Sequence, residues 1–247
     1  MEKNSYDFFA EDYHNKRRYH WKDLESFLRE LDKKDFYFNG YNLDLGCANG
    51  RNFNLFLKSD SKLVGIDNSI ELLRLARDRL KEQKFKSNRS PKYIDLVFSD
   101  LKYLPLRPNS IKNIFSIATI HHIRKNIHRN ETMLQLNNIL KRDGLFILTV
   151  WRRYQKKYRF CFIKDWIRRF FIPKYKIQQD NLGLNEYGDR YIPWTLSNKN
   201  LTYNRYYHFF SLKEIKKLLK SYKIKVISKR GGPTKKDNFF ILTEKVV

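Results

Sequence analysis

Apolar positions along the chain follow two periods that take turns. Trp21, Leu24, Phe27, Leu28 and Leu31 share one helical face, so the spacing predicts an amphipathic helix over about 20–33. The run YNLDLGC at 41–47 is a short strand ending in a glycine turn, and NFNLFLK is the helix after that turn. KLVGID (62–67) predicts a second strand, followed by a helix over 69–83 on Leu72, Leu73, Ala76 and Leu80. YIDLVFSD (93–100) and IKNIFSIAT (111–119) are strands three and four. A helix over about 127–141 turns Met133, Leu136 and Leu140 inward, and GLFILTVW (144–151) is strand five.

Strands alternating with helices at this spacing predict a doubly wound α/β domain with a mostly parallel sheet. Strands four and five are apolar almost throughout, as central strands covered on both faces should be. After Trp151 the rhythm weakens. Residues 152–204 are basic and aromatic, with one helix expected at about 157–171, where Tyr158, Phe162, Trp166 and Phe170 recur every four residues. The α/β pattern resumes at SLKEIKKLLK, where Ser211 and Glu214 have capping-box spacing. KIKVISK and NFFILTEK, joined across Gly231-Gly232-Pro233, predict a closing antiparallel hairpin that brings the sheet to seven strands. The chain therefore reads as one domain over 1–247, with an N-terminal helical segment at 1–35 and an insertion at 152–204.

Composition narrows the partners. The net charge is +25, and it is uneven: residues 151–230 hold 21 Lys/Arg against 5 Asp/Glu, while 1–150 hold 27 against 19. Such a field favours a polyanion, because each neutralised phosphate releases counterions. No apolar run approaches the length of a membrane span, and the N-terminus lacks the apolar core of a secretory signal. With only Cys47 and Cys161, neither a disulfide framework nor a four-ligand zinc site is expected, and no metal is assigned.

The chemistry begins at LDLGCANG. Gly46 and Gly50 let the backbone approach a ligand, with helix amides facing its negative end. Asp67 ends strand two, where a carboxylate accepts ribose hydroxyls, and Asp100 ends strand three, within reach of an adenine amino group. With Asp44, three acids at the ends of three successive strands converge on the edge where open α/β sheets bind ligands. The phosphate loop G-x-x-x-x-G-K-[ST] is absent, and G-C-A-N-G is not a dinucleotide fingerprint. Strand four ends on His121 and His122, two titratable rings at the mouth of the same edge.

Together, LDLGCANG, GIDNS, DLKYLPL and the apolar strand before His121 resemble the successive motifs of class I S-adenosylmethionine-dependent methyltransferases, whose sheet is Rossmann-like. The resemblance implies that Asp44 and Gly46 lie beside the methionine moiety, that Asp67 holds the ribose, and that Asp100 and Leu101 hold the adenine. Cys47, Gly50, Asn68 and His121 complete the implied cofactor set. Ala48 stands where the family more often has glycine.

A narrower resemblance runs nearly end to end. AEDYHNKRRYHW, ATIHHI, LTVW, DRYIPWTL, NRYYHFFSLKEIKKLL and KKDNFFILTEK are similar, in order, to the eukaryotic methyltransferases that esterify 5-carboxymethyluridine at the tRNA wobble position. It implies His122 and Arg18 on the substrate carboxylate, Arg205 and Asp189 around the uridine, and Trp151 against the base or the pocket wall. The nucleophile would be a carboxylate oxygen, already ionised, so no general base is required. The basic insertion would then meet the tRNA anticodon stem-loop, with Arg152, Arg153, Lys156, Lys157, Arg168 and Arg169 on phosphates and aromatic rings on unpaired bases. A small zinc-binding activator protein is implied as the heterodimer partner, on the edge strand at about 93–98. The implied setting is cytoplasmic, with the nucleus as a second compartment. A membrane is not expected, since few neighbours share the apolar face of the basic helix. Competing functions are a small-molecule carboxylate, lipid or quinone methyltransferase, and a noncatalytic RNA-binding module that retains the fold.

Overall fold

A computed structural model describes residues 5–57, 61–86, 93–197 and 201–246. The parts of the expected 1–35 and 152–204 segments at 1–4 and 198–200 lie outside the described residues. Seven strands form one sheet: β1 (Tyr41–Leu45), β2 (Lys62–Asp67), β3 (Ile94–Phe98), β4 (Ile111–Ile117), β5 (Leu140–Trp151), and the C-terminal pair β8 (Tyr222–Arg230) and β9 (Asn238–Lys245). Their spatial order is β3-β2-β1-β4-β5-β9-β8. The first five pair in parallel, and β9 runs antiparallel to both β5 and β8. This is the predicted doubly wound sheet with its C-terminal hairpin.

Both faces are covered. On one side α2 (Lys22–Asp32), α3 (Phe53–Phe56) and α4 (Ile70–Lys86) place Phe27, Leu31, Phe53 and Ala76 against Phe115, Ile147 and Phe240. On the other, α5 (Asn126–Ile139) and α8 (Leu212–Leu218) pack Met133, Leu136, Ile215 and Leu218 over Leu43, Ile114 and Phe146. Burial on two faces explains why β4 and β5 carry apolar residues at consecutive positions rather than alternate ones. β5 begins four residues before the predicted strand, across Asp143, whose φ is +55°. The polar stretch KRDG hides that extension, because nothing apolar marks it.

The insertion has more order than its periodicity suggests. It holds α6 (Arg159–Phe171), α7 (Pro173–Asn181), β6 (Asp189–Thr195) and the start of β7 (Thr202–His208). β6 and β7 form a separate antiparallel ribbon in which Ile192 pairs with Arg205. Only Phe162 of α6 is fully buried, against Ile192, Tyr207 and Phe209. Trp166 and Phe170, expected on the same stripe, are 53% and 70% exposed. Four-residue steps advance 40° per step around a helix, so a stripe that starts inward turns outward within three steps. Phe160, Ile163 and Ile167 are exposed as well, so the apolar outer face of α6 is broader than the sequence pattern indicates. No helix among the described residues is long and apolar enough to cross a membrane.

The N-terminal segment folds as a 3-10 turn (Ser5–Phe9) running into α1 (Ala10–Lys16). It is pinned to the β6–β7 ribbon by Asp12, which accepts from Trp194 Nε1 at 2.7 Å and from the Ser197 amide at 2.9 Å.

Candidate active site

The carboxyl ends of β1 to β4, the N-terminal segment and β7 enclose a cavity of about 930 Å³. At one end, Gly46, Ala48, Asp67, Asn68, Asp100 and Leu101 line it. Gly46 has φ of +74°, and a Cβ there would meet Thr119 Cγ2 at 2.3 Å, so only glycine lets this turn close against β4. Ala48 also sits in the left-handed region, with φ of +48°. Its amide donates to Asp67 Oδ2 at 2.8 Å, and the Ser69 amide donates to Oδ1 at 2.9 Å.

The acids at this end have unusual charge states. Asp44 is buried beneath the turn, off the cavity wall, and burial followed by repulsion from Asp67 pushes its carboxyl up to about 8, against the pull of Arg51. Asp67 lines the cavity, and burial raises it to about 6 despite the amides of Ala48, Ser69 and Asn68. Neither carboxylate has a salt-bridge partner among the described residues. Two buried carboxyls held toward protonation, with no ion pair among the described residues and only the longer-range pull of Arg51 on Asp44, suit a ligand that brings positive charge. Asp100 is exposed at the rim and takes the Lys102 amide on Oδ1 at 2.9 Å. Cys47 and Gly50 do not reach the cavity. The Cys47 thiol is raised by burial and packs beside Gly65, while Gly50 turns with φ of +68° over Phe53.

The other end is aromatic and cationic. His122 lines the cavity, with Nδ1 2.9 Å from the Tyr206 carbonyl and Nε2 3.1 Å from the Tyr6 hydroxyl. Burial pushes it down to about 4, against the Tyr206 hydrogen bond, with Arg205 lowering it further. His121 is fully buried behind it, stacked on Tyr207 at 4.7 Å, and is not on the wall. The expectation that both rings open on the site thus holds for one of them. Trp151 lines the cavity 4.6 Å from Tyr207.

Arg205 also lines the cavity, yet is only 9% exposed. Its guanidinium lies over Trp194 at 4.7 Å and Tyr207 at 5.1 Å, and Nη1 donates to the Tyr207 hydroxyl at 2.8 Å. Nε has no partner, and no carboxylate pairs with this cation among the described residues. The other inward arginines of this half are paired: Arg129 with Glu186, Arg153 with Glu214 and Arg169 with Asp165.

Several expected residues stand elsewhere. Arg18 is exposed off the cavity and offers its carbonyl to Arg79, whereas Arg17 lines the wall. Asp189 faces away from the cavity, accepting from Tyr206 Oη at 2.5 Å and His208 Nδ1 at 2.7 Å. Asp189, Glu186 and His208 bring ligand atoms within 4.8 Å of one another, but Arg129 and Tyr206 already engage the two carboxylates, which makes the cluster an ion-pair network. Of the six cations expected on phosphates, Arg153 and Arg169 turn inward to their acids, and Arg152 donates to the Lys236 carbonyl. Lys156, Lys157 and Arg168 remain exposed.

Tyr6, Tyr13 and Arg17 on the wall were not singled out by the pattern. With Ala10 they recur at four-, three- and four-residue steps, a helical face that the charged neighbours obscure.

Residues 43–148 match the family model of a methyltransferase domain. The chain is 25% identical over 247 aligned positions, covering 97% of it and 94% of the relative, to the tRNA (carboxymethyluridine(34)-5-O)-methyltransferase of Schizosaccharomyces pombe. It is 26% identical to the Arabidopsis thaliana protein of the same name, over 61% of this chain and 32% of that one. Among solved structures, an S-adenosylmethionine-dependent methyltransferase from Clostridium acetobutylicum superimposes with a TM-score of 0.66 at 16% identity, over 99% of this chain and 100% of that one. One from Methanosarcina mazei gives 0.67 at 16% identity, over 88% and 97%.

Proposed function

We propose that this chain, whose residues 43–148 match a methyltransferase domain and whose fold is that of solved S-adenosylmethionine-dependent methyltransferases, is an enzyme that esterifies the carboxylate of 5-carboxymethyluridine at the tRNA wobble position. The observation that carries the reading is Arg205, a buried guanidinium without a carboxylate partner among the described residues, in the same cavity as the acids of the cofactor end. A buried cation left without a counter-charge costs several kcal/mol, so an anionic ligand belongs beside it.

Gly46, Asp67, Asn68, Asp100 and Leu101 would hold the cofactor, with Asp44 behind them, raised to about 8 in the unliganded protein and ionising when positive charge arrives. When bound, S-adenosylmethionine supplies a methyl group on a sulfonium. The protein's own task is then alignment and exclusion of water, since the carboxylate arrives ionised and needs no base. Arg205 donates Nη1 to the Tyr207 hydroxyl and is also hydrogen-bonded to Tyr6, so only part of its guanidinium is left for the carboxylate, a moderate hold that leaves the nucleophilic lone pair available. Arg17 approaches from the N-terminal segment over the ring of Trp194. Trp151 and Tyr207 give the uracil an aromatic wall. Exposed Lys102, Arg124 and Lys157 on the rim meet the phosphates flanking the wobble nucleotide.

The zinc-binding activator stays an inference from the resemblance. β3 is the free edge of the sheet, and Tyr93 beside it is 69% exposed, which suits strand addition or an apolar partner there.

The test is mass spectrometry of nucleosides after labelled cofactor is incubated with tRNA carrying 5-carboxymethyluridine, with and without the activator. Label as a methyl ester on that nucleoside is the expected result. Label on small carboxylic acids but not tRNA would replace this reading with the small-molecule one. Cofactor binding without transfer to either would leave a noncatalytic module.

A further inference from the structure

The N-terminal turn carries two adjacent side chains that go separate ways, Tyr6 onto the cavity wall and Asp7 onto the loop behind its cofactor end. Asp7 Oδ1 accepts from Ser69 Oγ at 2.5 Å and from the Glu71 amide at 3.3 Å, next to the loop that presents Asp67. Tyr6 turns the other way, and its ring meets His122 edge-on at 5.6 Å with the hydroxyl 3.1 Å from Nε2. The remaining ring nitrogen, Nδ1, lies 2.9 Å from the Tyr206 carbonyl. A carbonyl oxygen only accepts, so Nδ1 carries the ring proton. In the neutral ring Nε2 is then the lone-pair nitrogen, and Tyr6 is the donor. His122 has no N–H left to offer a substrate.

We propose that Tyr6 is a positioning residue whose hydroxyl fixes His122 as a neutral ring with both nitrogens engaged, leaving the negative charge of the acceptor to Arg205. The last clause rests on the carboxylate acceptor proposed above; the hydrogen-bond assignment does not. The groups facing His122 agree with a neutral ring. From its own turn comes His121 at 4.5 Å, from β7 come Tyr207 at 4.4 Å and the cation of Arg205, and from the N-terminal turn comes Tyr6. None is an acid. A protonated His122 would add a second cation beside Arg205 and grip the nucleophilic oxygen more tightly than transfer allows. Because Tyr6 and Asp7 are neighbours on one turn, seating that turn on Ser69 also seats the hydroxyl on His122. The cofactor loop and the acceptor wall are thereby assembled together.

Ring nitrogen spectra of the full chain, with steady-state rates from about pH 5 to pH 8, compare the wild type, Tyr6→Phe and Asp12→Asn. Asp12→Asn loosens the segment through Trp194 and Ser197 without touching His122. The wild type is expected to show the Nδ1–H form of His122 with no titration in that window. In Tyr6→Phe the ring begins to titrate there, and kcat falls severalfold toward the acidic end while KM for the carboxylated RNA stays level or drops. Asp12→Asn slows the enzyme but keeps the Nδ1–H form. An Nε2–H form in the wild type, unchanged titration in Tyr6→Phe, or the same tautomer loss in Asp12→Asn would each overturn the assignment. If carboxylated RNA is not a substrate, the spectra still decide the role of Tyr6.

Discussion

Arg205 and Ala48 show how single residues carry the site. Arg205 is held between the faces of Trp194 and Tyr207, a planar fit that an ammonium group does not reproduce. If the proposed carboxylated RNA is the acceptor, Arg205→Lys is therefore expected to raise its KM about tenfold or more, the equivalent of one charge-assisted hydrogen bond. Cofactor affinity, measured by calorimetry, should be unchanged, because Arg205 lies at the other end of the cavity. Ala48 occupies a left-handed conformation that costs a residue with a Cβ about 1 kcal/mol. Ala48→Gly removes that cost and should raise the thermal midpoint of the unliganded protein; a lower midpoint would mean that the alanine methyl packs usefully. The departure from the family's glycine was legible in the sequence, but its positive φ was not.

Among the elements, those with a clear apolar period or a capping signature were legible and those that mix aromatic and charged residues were not. α8 is an example of the first kind. Ser211 Oγ accepts from the Glu214 amide at 3.3 Å, and Glu214 Oε2 accepts in return from the Ser211 amide at 2.7 Å, as the spacing predicted. The structure adds Arg153, whose guanidinium grips both oxygens of Glu214. Ser211→Ala should cost about 1 kcal/mol in chemical denaturation, the usual worth of an N-cap. A loss well below that would mean that Arg153 alone orders the helix start. β6 and β7 belong to the second kind. Pro193 sits inside β6, and each strand interleaves aromatic and charged residues, so no single period stands out. The ribbon forms because Ile192, Trp194, Tyr206 and Tyr207 find burial against α6, the N-terminal segment and the ends of the sheet, none of them local neighbours.

At the scale of the whole molecule, the acids of the cofactor end and the histidines of the acceptor end titrate in opposite senses. Asp44 and Asp67 are raised to about 8 and about 6, so the folded, unliganded protein holds protons there that the unfolded chain has lost. That contribution to stability is present below the ordinary aspartate pKa and disappears as pH rises through 6 and then 8. His122 is lowered to about 4 and His121 well below its ordinary value, so their neutral forms cost stability as pH falls from about 6.5 toward 4. A cationic cofactor prefers the ionised acids, so its affinity should climb between about pH 6 and pH 8, by up to about tenfold per unit for each proton released. Calorimetry in buffers of different ionisation enthalpy measures that release, and a flat profile would remove the acids from the cofactor's electrostatics.

By itself the sequence determined the sheet, its two covered faces, the acids at its strand ends and the excess of positive charge, because periodicity and strand-end chemistry are local properties. Only the tertiary structure decided which of two neighbouring arginines and which of two neighbouring histidines open on the cavity, and which cations are already spent. Those outcomes depend on where Tyr6, Glu214, Asp165 and Tyr206 arrive from far along the chain. A side chain's direction at the end of an element is set by the partner it finds there, and a linear pattern holds no record of that meeting.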